Sequence, residues 1–103
     1  MAKAKWTSLA REDLKAIGRY IGHHEQRPAV AAKILREIHA KCDEYSEAFA
    51  HGSVIGSDAS ELSEGCRIIS HQRWVIVFEP IGSGIEVLRV LEGSRDYPRL
   101  FGH

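Results

Sequence analysis

Three consecutive β-strands are predicted from residues 66–92, which read CRIISHQRWVIVFEPIGSGIEVLRVLE. Residues 66–70, 73–79 and 85–92 are rich in β-branched and aromatic side chains, as strands are. One connection between them is a polar dipeptide, and the other has the proline and glycine content of a turn. This order predicts an antiparallel meander of three strands.

Two helices are predicted before these strands, because apolar residues recur there with alternating spacings of four and three. The first helix has Ser8 as its N-cap, and its apolar face consists of Ala10, Leu14, Ile17 and Ile21. The second helix starts at Pro28, and its apolar face consists of Ala31, Leu35, Ile38, Cys42, Tyr45 and Phe49. A short connection makes them an antiparallel pair. Residues 3–7 predict a further strand, at a sheet edge or beside the last strand.

The length of 103 residues is enough for one domain, residues 1–103, with a single core. Apolar residues make up 44% of the chain and charged residues 27%, which excludes disordered and collagen-like proteins. The longest apolar run, residues 74–78, is far shorter than the roughly 20 residues that cross a bilayer. The N-terminus is positively charged but has no apolar signal-peptide segment behind it. A cytoplasmic protein without membrane contacts is therefore expected.

The 14 basic and 14 acidic residues cancel, but they are distributed unevenly along the chain. Residues 1–41 carry a net charge of +5, residues 42–66 carry −6 and residues 67–103 carry +1. A neutral total argues against a protein that relies on a strong positive field to hold nucleic acid. It leaves a local basic site possible.

No metal or cofactor is expected. Zinc sites need three or four converging ligands, usually at short regular spacings, and the six histidines form no H-x-x-x-H pattern. Cys42 and Cys66 do not form a C-x-x-C pair, so they are predicted to be reduced, buried thiols.

Both faces of the predicted sheet are apolar. The middle strand places Val75 and Val77 opposite to Trp74, Ile76 and Phe78, and the last strand places Leu88 and Val90 opposite to Ile85, Val87, Arg89 and Leu91. Since two helices cover only one face, a partner is expected on the other, at Val75, Val77, Ile85, Val87 and Arg89. The alternative is that residues 51–65 and the C-terminus fold over central strands.

Arg89 is a charged residue between two apolar neighbours on a central strand. A buried arginine is costly unless it is paired, so Arg89 is expected either to meet an acid such as Asp96 or Glu79 or to face the partner.

Three segments carry a resemblance to a known family: residues 60–67 leading into 74–79, residues 85–96 (IEVLRVLEGSRD), and Ala10-x-x-Asp13-Leu14 with Ile17 and Tyr20-Ile21. The chain resembles the ParE branch of the ParE/RelE toxin superfamily of bacterial type II toxin–antitoxin modules. The resemblance implies an α+β fold of order β-α-α-β-β-β, with a helical hairpin on a small antiparallel sheet. It also implies a cognate antitoxin that wraps the toxin and alone mediates contact with operator DNA.

Two activities are known in this superfamily: RelE-like members cut messenger RNA on the ribosome, whereas ParE-like members inhibit DNA gyrase. RelE-like enzymes use lysines on the strand matching residues 67–70, arginines matching Arg73 and Arg95, and a tyrosine near the C-terminus. Here no lysine follows Lys41, and Phe101 aligns with the tyrosine. A phenyl ring cannot exchange a proton, so a gyrase-inhibiting binding protein is expected rather than an enzyme.

The alternative is a metal-independent, ribosome-dependent mRNA interferase, whose catalytic candidates are Arg67, His71, Arg73, Arg95 and Tyr97. An inert subunit of a complex is also compatible with the sequence. For gyrase inhibition, the expected target-binding residues lie in the C-terminal tail: Arg95, Tyr97, Arg99 and Phe101.

Overall fold

A computed structural model describes residues 2–93. Its elements are β1 (Lys5–Trp6), α1 (Ser8–Arg19) continued by a π-helical turn (Tyr20–His24), α2 (Pro28–Ala50), β2 (Ser57–Asp58), β3 (Arg67–His71), β4 (Trp74–Ile81) and β5 (Gly84–Glu92). The two helices and the meander β3–β4–β5 confirm the predicted α+β fold. Within residues 2–93, neither helix is long and apolar enough to cross a membrane.

The sheet has five strands in the order β1-β5-β4-β3-β2. The strand predicted at residues 3–7 does lie beside the last strand, but it runs parallel to it, with Lys5 opposite Glu86. All other pairs are antiparallel. The sheet is therefore mixed rather than purely antiparallel, because β1 lies along the side of β5 opposite to β4 and runs in the same direction as β5. The short edge strand β2 was not predicted, since two polar residues carry no periodic signal.

Helix α1 is capped by Thr7 and not by Ser8, which is exposed as the first helical residue. The Thr7 hydroxyl accepts a hydrogen bond from the Ala10 N–H at 3.1 Å and donates one to the Leu88 carbonyl at 2.9 Å. One side chain thus caps the helix and binds the edge of β5, which makes Thr7 the better N-cap. The Thr7 side chain thus fixes the junction of β1 and α1 against β5.

The main core lies between the helices and one face of the sheet. Trp74, Ile76 and Phe78 of β4 pack there against helix residues that include Ile17, Ile21, Ile38 and Cys42. Phe49 meets Phe78 edge to face, with ring centroids 5.6 Å apart. The predicted apolar faces of both helices therefore point into this core.

A smaller cluster covers the other face of the sheet. Val75 and Val77 are buried there against Ala59 and Cys66, and half-buried Leu62, Ile68, Leu88 and Leu91 surround them. Ala59, Leu62 and Cys66 belong to the segment between α2 and β3. The part of the alternative in which residues 51–65 fold over the central strands is therefore observed, whereas the C-terminus lies outside the described residues.

The side assignment predicted for β5 is wrong, because the strand contains a bulge. Val77 pairs with Arg89 and Phe78 with Val87, so Leu88 is an additional residue in β5. Beyond the bulge, the alternation is inverted. Ile85, Val87 and Val90 consequently face the helices, whereas Leu88 and Leu91 face the smaller cluster.

The β4–β5 turn is anchored to α2 by a buried serine. Ser46 is fully buried, and its hydroxyl accepts a hydrogen bond from the Ile85 N–H at 3.1 Å. The adjacent Gly84 has a φ of +145°, and a Cβ atom at this position would overlap the Ser46 side chain. The approach of the hairpin to α2 therefore requires glycine here.

Candidate functional site

Arg67, a catalytic candidate, is bound to the chain that precedes β2. Its Nε donates to the Ile55 carbonyl at 2.9 Å and its Nη2 to the Gly56 carbonyl at 2.7 Å. The two carbonyls accept from adjacent N–H donors of the planar guanidinium group. Arg67 therefore holds the segment that covers the smaller cluster.

Arg73, in the β3–β4 turn, lies between two carboxylates. Its Nε is 3.2 Å from Glu92 Oε2, and its Nη2 is 3.7 Å from Glu25 Oε2. The guanidinium carbon also lies 4.7 Å from the centre of the Trp74 ring, at the distance of a cation–π contact. Its charge is offset on both sides, which leaves Arg73 poorly suited to hold a phosphate.

His71 ends β3 opposite Trp74 and is half-buried. Its buried Nε2 has no hydrogen-bond partner within residues 2–93. Arg67 lies four residues back along the same strand, which is about 13 Å at the rise of a β-strand. The structure therefore does not bring Arg67 and His71 together, and Arg95 and Tyr97 lie outside the described residues.

Arg89 meets an acid, as predicted, but the acid is Asp13 of α1 rather than Glu79, and Asp96 lies outside the described residues. Its Nε lies 2.8 Å from Asp13 Oδ2 and its Nη2 lies 3.0 Å from Oδ1, a bidentate pair. The hydrogen bonds to Asp13 raise the pKa of Arg89. Asp13 Oδ2 also accepts the Val90 N–H at 2.9 Å. Asp13 therefore binds the part of β5 that extends beyond its pairing with β1.

The residues predicted to bind a partner differ in accessibility. Ile85 and Val87 are fully buried beneath the helices and offer no surface, which corrects that part of the prediction. Val75 and Val77 are 1% and 3% exposed under the segment before β3. Of the five, only Arg89 is substantially accessible, with 35% of its side chain exposed. The accessible apolar side chains on this face are the half-buried Ile68, Leu88 and Leu91 of the strands and Leu62 of the covering segment.

Sequence reasoning missed two exposed apolar side chains, one in α1 and one at the start of the π-helical turn that continues it. Leu9 is 61% exposed and Tyr20 is 50% exposed. Their separation of eleven residues places them on the same side of the helix, and the exposed Ala16 lies between them. A cavity of about 200 Å³ separates this side of α1 from Trp74 and Val90. The available signal was that Leu9 and Tyr20 fall outside the apolar stripe that faces the core.

The two cysteines are free and buried, as predicted. Burial raises the pKa of the Cys42 thiol to about 12, and burial also raises the pKa of Cys66. Both thiols therefore remain protonated at neutral pH and are poor nucleophiles. Residues 2–93 bring no three His, Cys, Asp or Glu side chains together as metal ligands.

The predicted target-binding residues, Arg95, Tyr97, Arg99 and Phe101, lie outside the described residues. The chain reaches them from the end of β5, where the Gly93 N–H donates to the Arg73 carbonyl at 3.3 Å. The last described residue, Gly93, therefore lies next to the contacts of Arg73.

Comparison with known proteins gives one family and one fold. The model of the family described as ParE toxin of type II toxin–antitoxin system, parDE, matches residues 4–97. A solved chain of the chromosomal ParDE TA system from P. aeruginosa superposes with a TM-score of 0.70 at 24% identity, over 89% of this chain and 96% of that one. At that identity, the superposition establishes the fold alone. No curated protein is significantly similar in sequence.

Proposed function

The chain belongs to the ParE toxin family of type II toxin–antitoxin systems, and from that membership we propose that it inhibits DNA gyrase and is neutralised by a cognate antitoxin. The match over residues 4–97 is the observation that carries this proposal. The proposed target implies action in the cytoplasm.

The contacts of the arginines favour binding over RNA cleavage. Metal-free cleavage needs a base, an acid and free cations close together. Arg67 is bound to two backbone carbonyls, and Arg73 is paired with Glu25 and Glu92. The neutral net charge also gives little attraction for RNA. The proposed function is therefore that of an inhibitory binding protein rather than an enzyme.

The decisive experiment is a pair of assays on the purified chain. We expect it to block supercoiling by gyrase and to leave ribosome-bound messenger RNA intact, with the toxin–antitoxin complex inactive in both assays. Cleavage of the messenger with supercoiling unaffected would instead establish the interferase activity.

The antitoxin is proposed to cover the sheet face that carries the smaller cluster. Val75 and Val77 lie at its centre, but the accessible contacts on the strands are the half-buried Ile68, Leu88 and Leu91. Arg89 pairs with Val77 across β4 and β5. Full burial of an exposed leucine side chain contributes about 1.5–3 kcal/mol, and these leucines are already half-buried, so the loss of one removes about 1 kcal/mol and weakens binding roughly fivefold.

This surface is tested with Leu88→Gln and Leu91→Gln against Leu9→Gln, a control on the exposed side of α1. We expect the first two to weaken antitoxin binding in calorimetry and the control to bind normally. Equal effects of all three would move the interface away from this face.

The target is proposed to contact the tail, through Arg95, Tyr97, Arg99 and Phe101. Deletion of residues 98–103 is expected to abolish growth inhibition while antitoxin binding persists, because the proposed antitoxin surface lies on the sheet. A truncated chain that binds the antitoxin and remains fully toxic would direct the search to Arg67, Arg73 and Arg89.

A further inference from the structure

Two glutamates lie directly opposite each other where β4 and β5 pair. Glu79 is the register partner of Glu86, and both side chains are half-buried. Glu79 follows Val77 by two residues and Glu86 precedes Leu88 by two, so both carboxylates lie on the face that carries the smaller cluster. Such a cross-strand pair has its Cβ atoms about 4.5–5.5 Å apart, and like charges at that separation destabilise a sheet.

Neither carboxylate forms an ion pair within residues 2–93. Lys5 is the register partner of Glu86 on the other side of β5, but its side chain is exposed and does not pair with Glu86. The two negative charges therefore face each other without a cation between them in the part of the chain that the structure describes.

The surroundings of the two glutamates are also negative. Burial raises the pKa of the Cys66 thiol, and the charges of Glu79 and Asp58 raise it further. The segment that covers the smaller cluster, residues 51–66, contains three acidic and no basic residues. This face of the sheet therefore repels nucleic acid and attracts a basic group.

The charged and apolar parts of this face are continuous. Leu88 is two residues from Glu86 on the same side of β5, which is about 7 Å at the rise of a β-strand. Ile68 and Leu91 extend the apolar part across the sheet. A complementary partner therefore presents apolar side chains beside a positive charge, because charges that match across an interface favour the correct partner and register.

We propose that the antitoxin segment on this face carries a lysine or arginine that lies between Glu79 and Glu86, about 7 Å from an apolar side chain packed on Leu88. This inference rests on the proposed neutralisation by an antitoxin and names the chemistry of that partner at the same surface. One cation between the two carboxylates removes their repulsion and adds an attraction, both of which are gained only in the complex.

Removal of either carboxylate has opposite expected effects on the free chain and on the complex. Glu79→Gln removes a contact between like charges, so the Tm of the free chain is expected to rise by about 1–4 °C. The same variant is expected to weaken antitoxin binding about fivefold at low ionic strength, the scale of a partly exposed ion pair, and less at high salt. A purely structural role would lower both the Tm and the affinity.

The test is calorimetry of the full chain with its cognate antitoxin at two ionic strengths, together with thermal unfolding of each free variant. Glu79→Gln and Glu86→Gln are compared with the double variant, whose loss is expected to be smaller than the product of the two single losses because one cation serves both carboxylates. The matched control is Glu44→Gln, which removes the same charge from an exposed ion pair on α2 and is expected to bind like wild type.

Charge reversal identifies the cation of the partner. Glu79→Lys is expected to weaken binding further, since it places a like charge against the antitoxin. Each lysine and arginine of the antitoxin is then replaced by glutamate, and one of these variants is expected to restore binding to Glu79→Lys while binding wild type more weakly. If none of them restores it, the proposed contact is wrong.

The outcomes separate this inference from the proposed function. Wild-type affinity of Glu79→Gln and Glu86→Gln for the antitoxin would overturn the inference and leave neutralisation by the antitoxin intact. A wild-type chain that the antitoxin does not bind would overturn both. A lower Tm of the free variants would show that a cation of the chain itself neutralises the two glutamates, and that result would also overturn the inference.

Discussion

Replacement of Asp13 by alanine is expected to destabilise the protein more than the loss of its ion pair alone. The Asp13 carboxylate accepts three hydrogen bonds, two from Arg89 and one from the Val90 N–H, and 14% of its side chain is exposed. It therefore joins α1 to the edge of β5 both by charge and by satisfying a backbone donor.

The two contributions have different magnitudes. With Arg89 about one-third exposed, solvent screening reduces the ion pair to about 1 kcal/mol. Val90 is 2% exposed, and a buried N–H without an acceptor costs about 1–2 kcal/mol. Asp13→Ala should therefore lower the free energy of unfolding by about 2–3 kcal/mol, which is about 8–20 °C in Tm for a domain of this size.

The assay is thermal and urea unfolding of wild type, Asp13→Ala, Asp13→Asn and Arg89→Gln. Asparagine keeps an oxygen for the Val90 N–H, so Asp13→Asn and Arg89→Gln should each cost about 1 kcal/mol, less than Asp13→Ala. An Arg89→Gln variant as unstable as Asp13→Ala would refute the assignment of the larger contribution to the backbone donor.

Three further predictions concern other contacts. Gly84→Ala should destabilise the fold strongly, because its Cβ would overlap Ser46 at a positive φ, whereas Gly82→Ala, with open space around it, should be close to neutral; urea midpoints compare the two. Arg67→Gln should make the segment before β2 more sensitive to limited proteolysis, while the rate of cleavage at other sites stays unchanged. Equal cleavage of this segment in wild type and variant would contradict the anchoring role of Arg67. Burial raises the pKa of Cys42 from 9.0 to about 12, so the contribution of the buried thiol to stability is complete below pH 9 and is lost as the pH rises towards 12. Unfolding measured against pH should therefore show a smaller loss of stability over that interval in Cys42→Ala than in wild type.

The resemblance predicted the functional classification because its matching segments lie in several distant parts of the chain. The matching segments include Asp13 in α1 and Arg89 in β5, two residues separated by 76 positions that form one ion pair. Spacing along the chain gives no indication of that pair, so Asp96 and Glu79 were the expected partners. The roles of Arg67 and Arg73 were equally hidden, because their partners lie in the loops after α2 and α1 and at the end of β5.

The kinds and order of the main elements could be predicted from local sequence patterns, because helical and strand periods depend only on neighbouring residues. Helices α1 and α2 and the meander β3–β4–β5 are of this kind. The side of β5 that faces the helices could not be predicted in this way, since one additional residue at Leu88 inverts the alternation and pairing with β4 determines where that residue is accommodated. The tertiary structure likewise decided that Ile85 and Val87 belong to the core and that Leu88 and Leu91 remain for a partner, because burial depends on what packs against a strand and not on the strand alone.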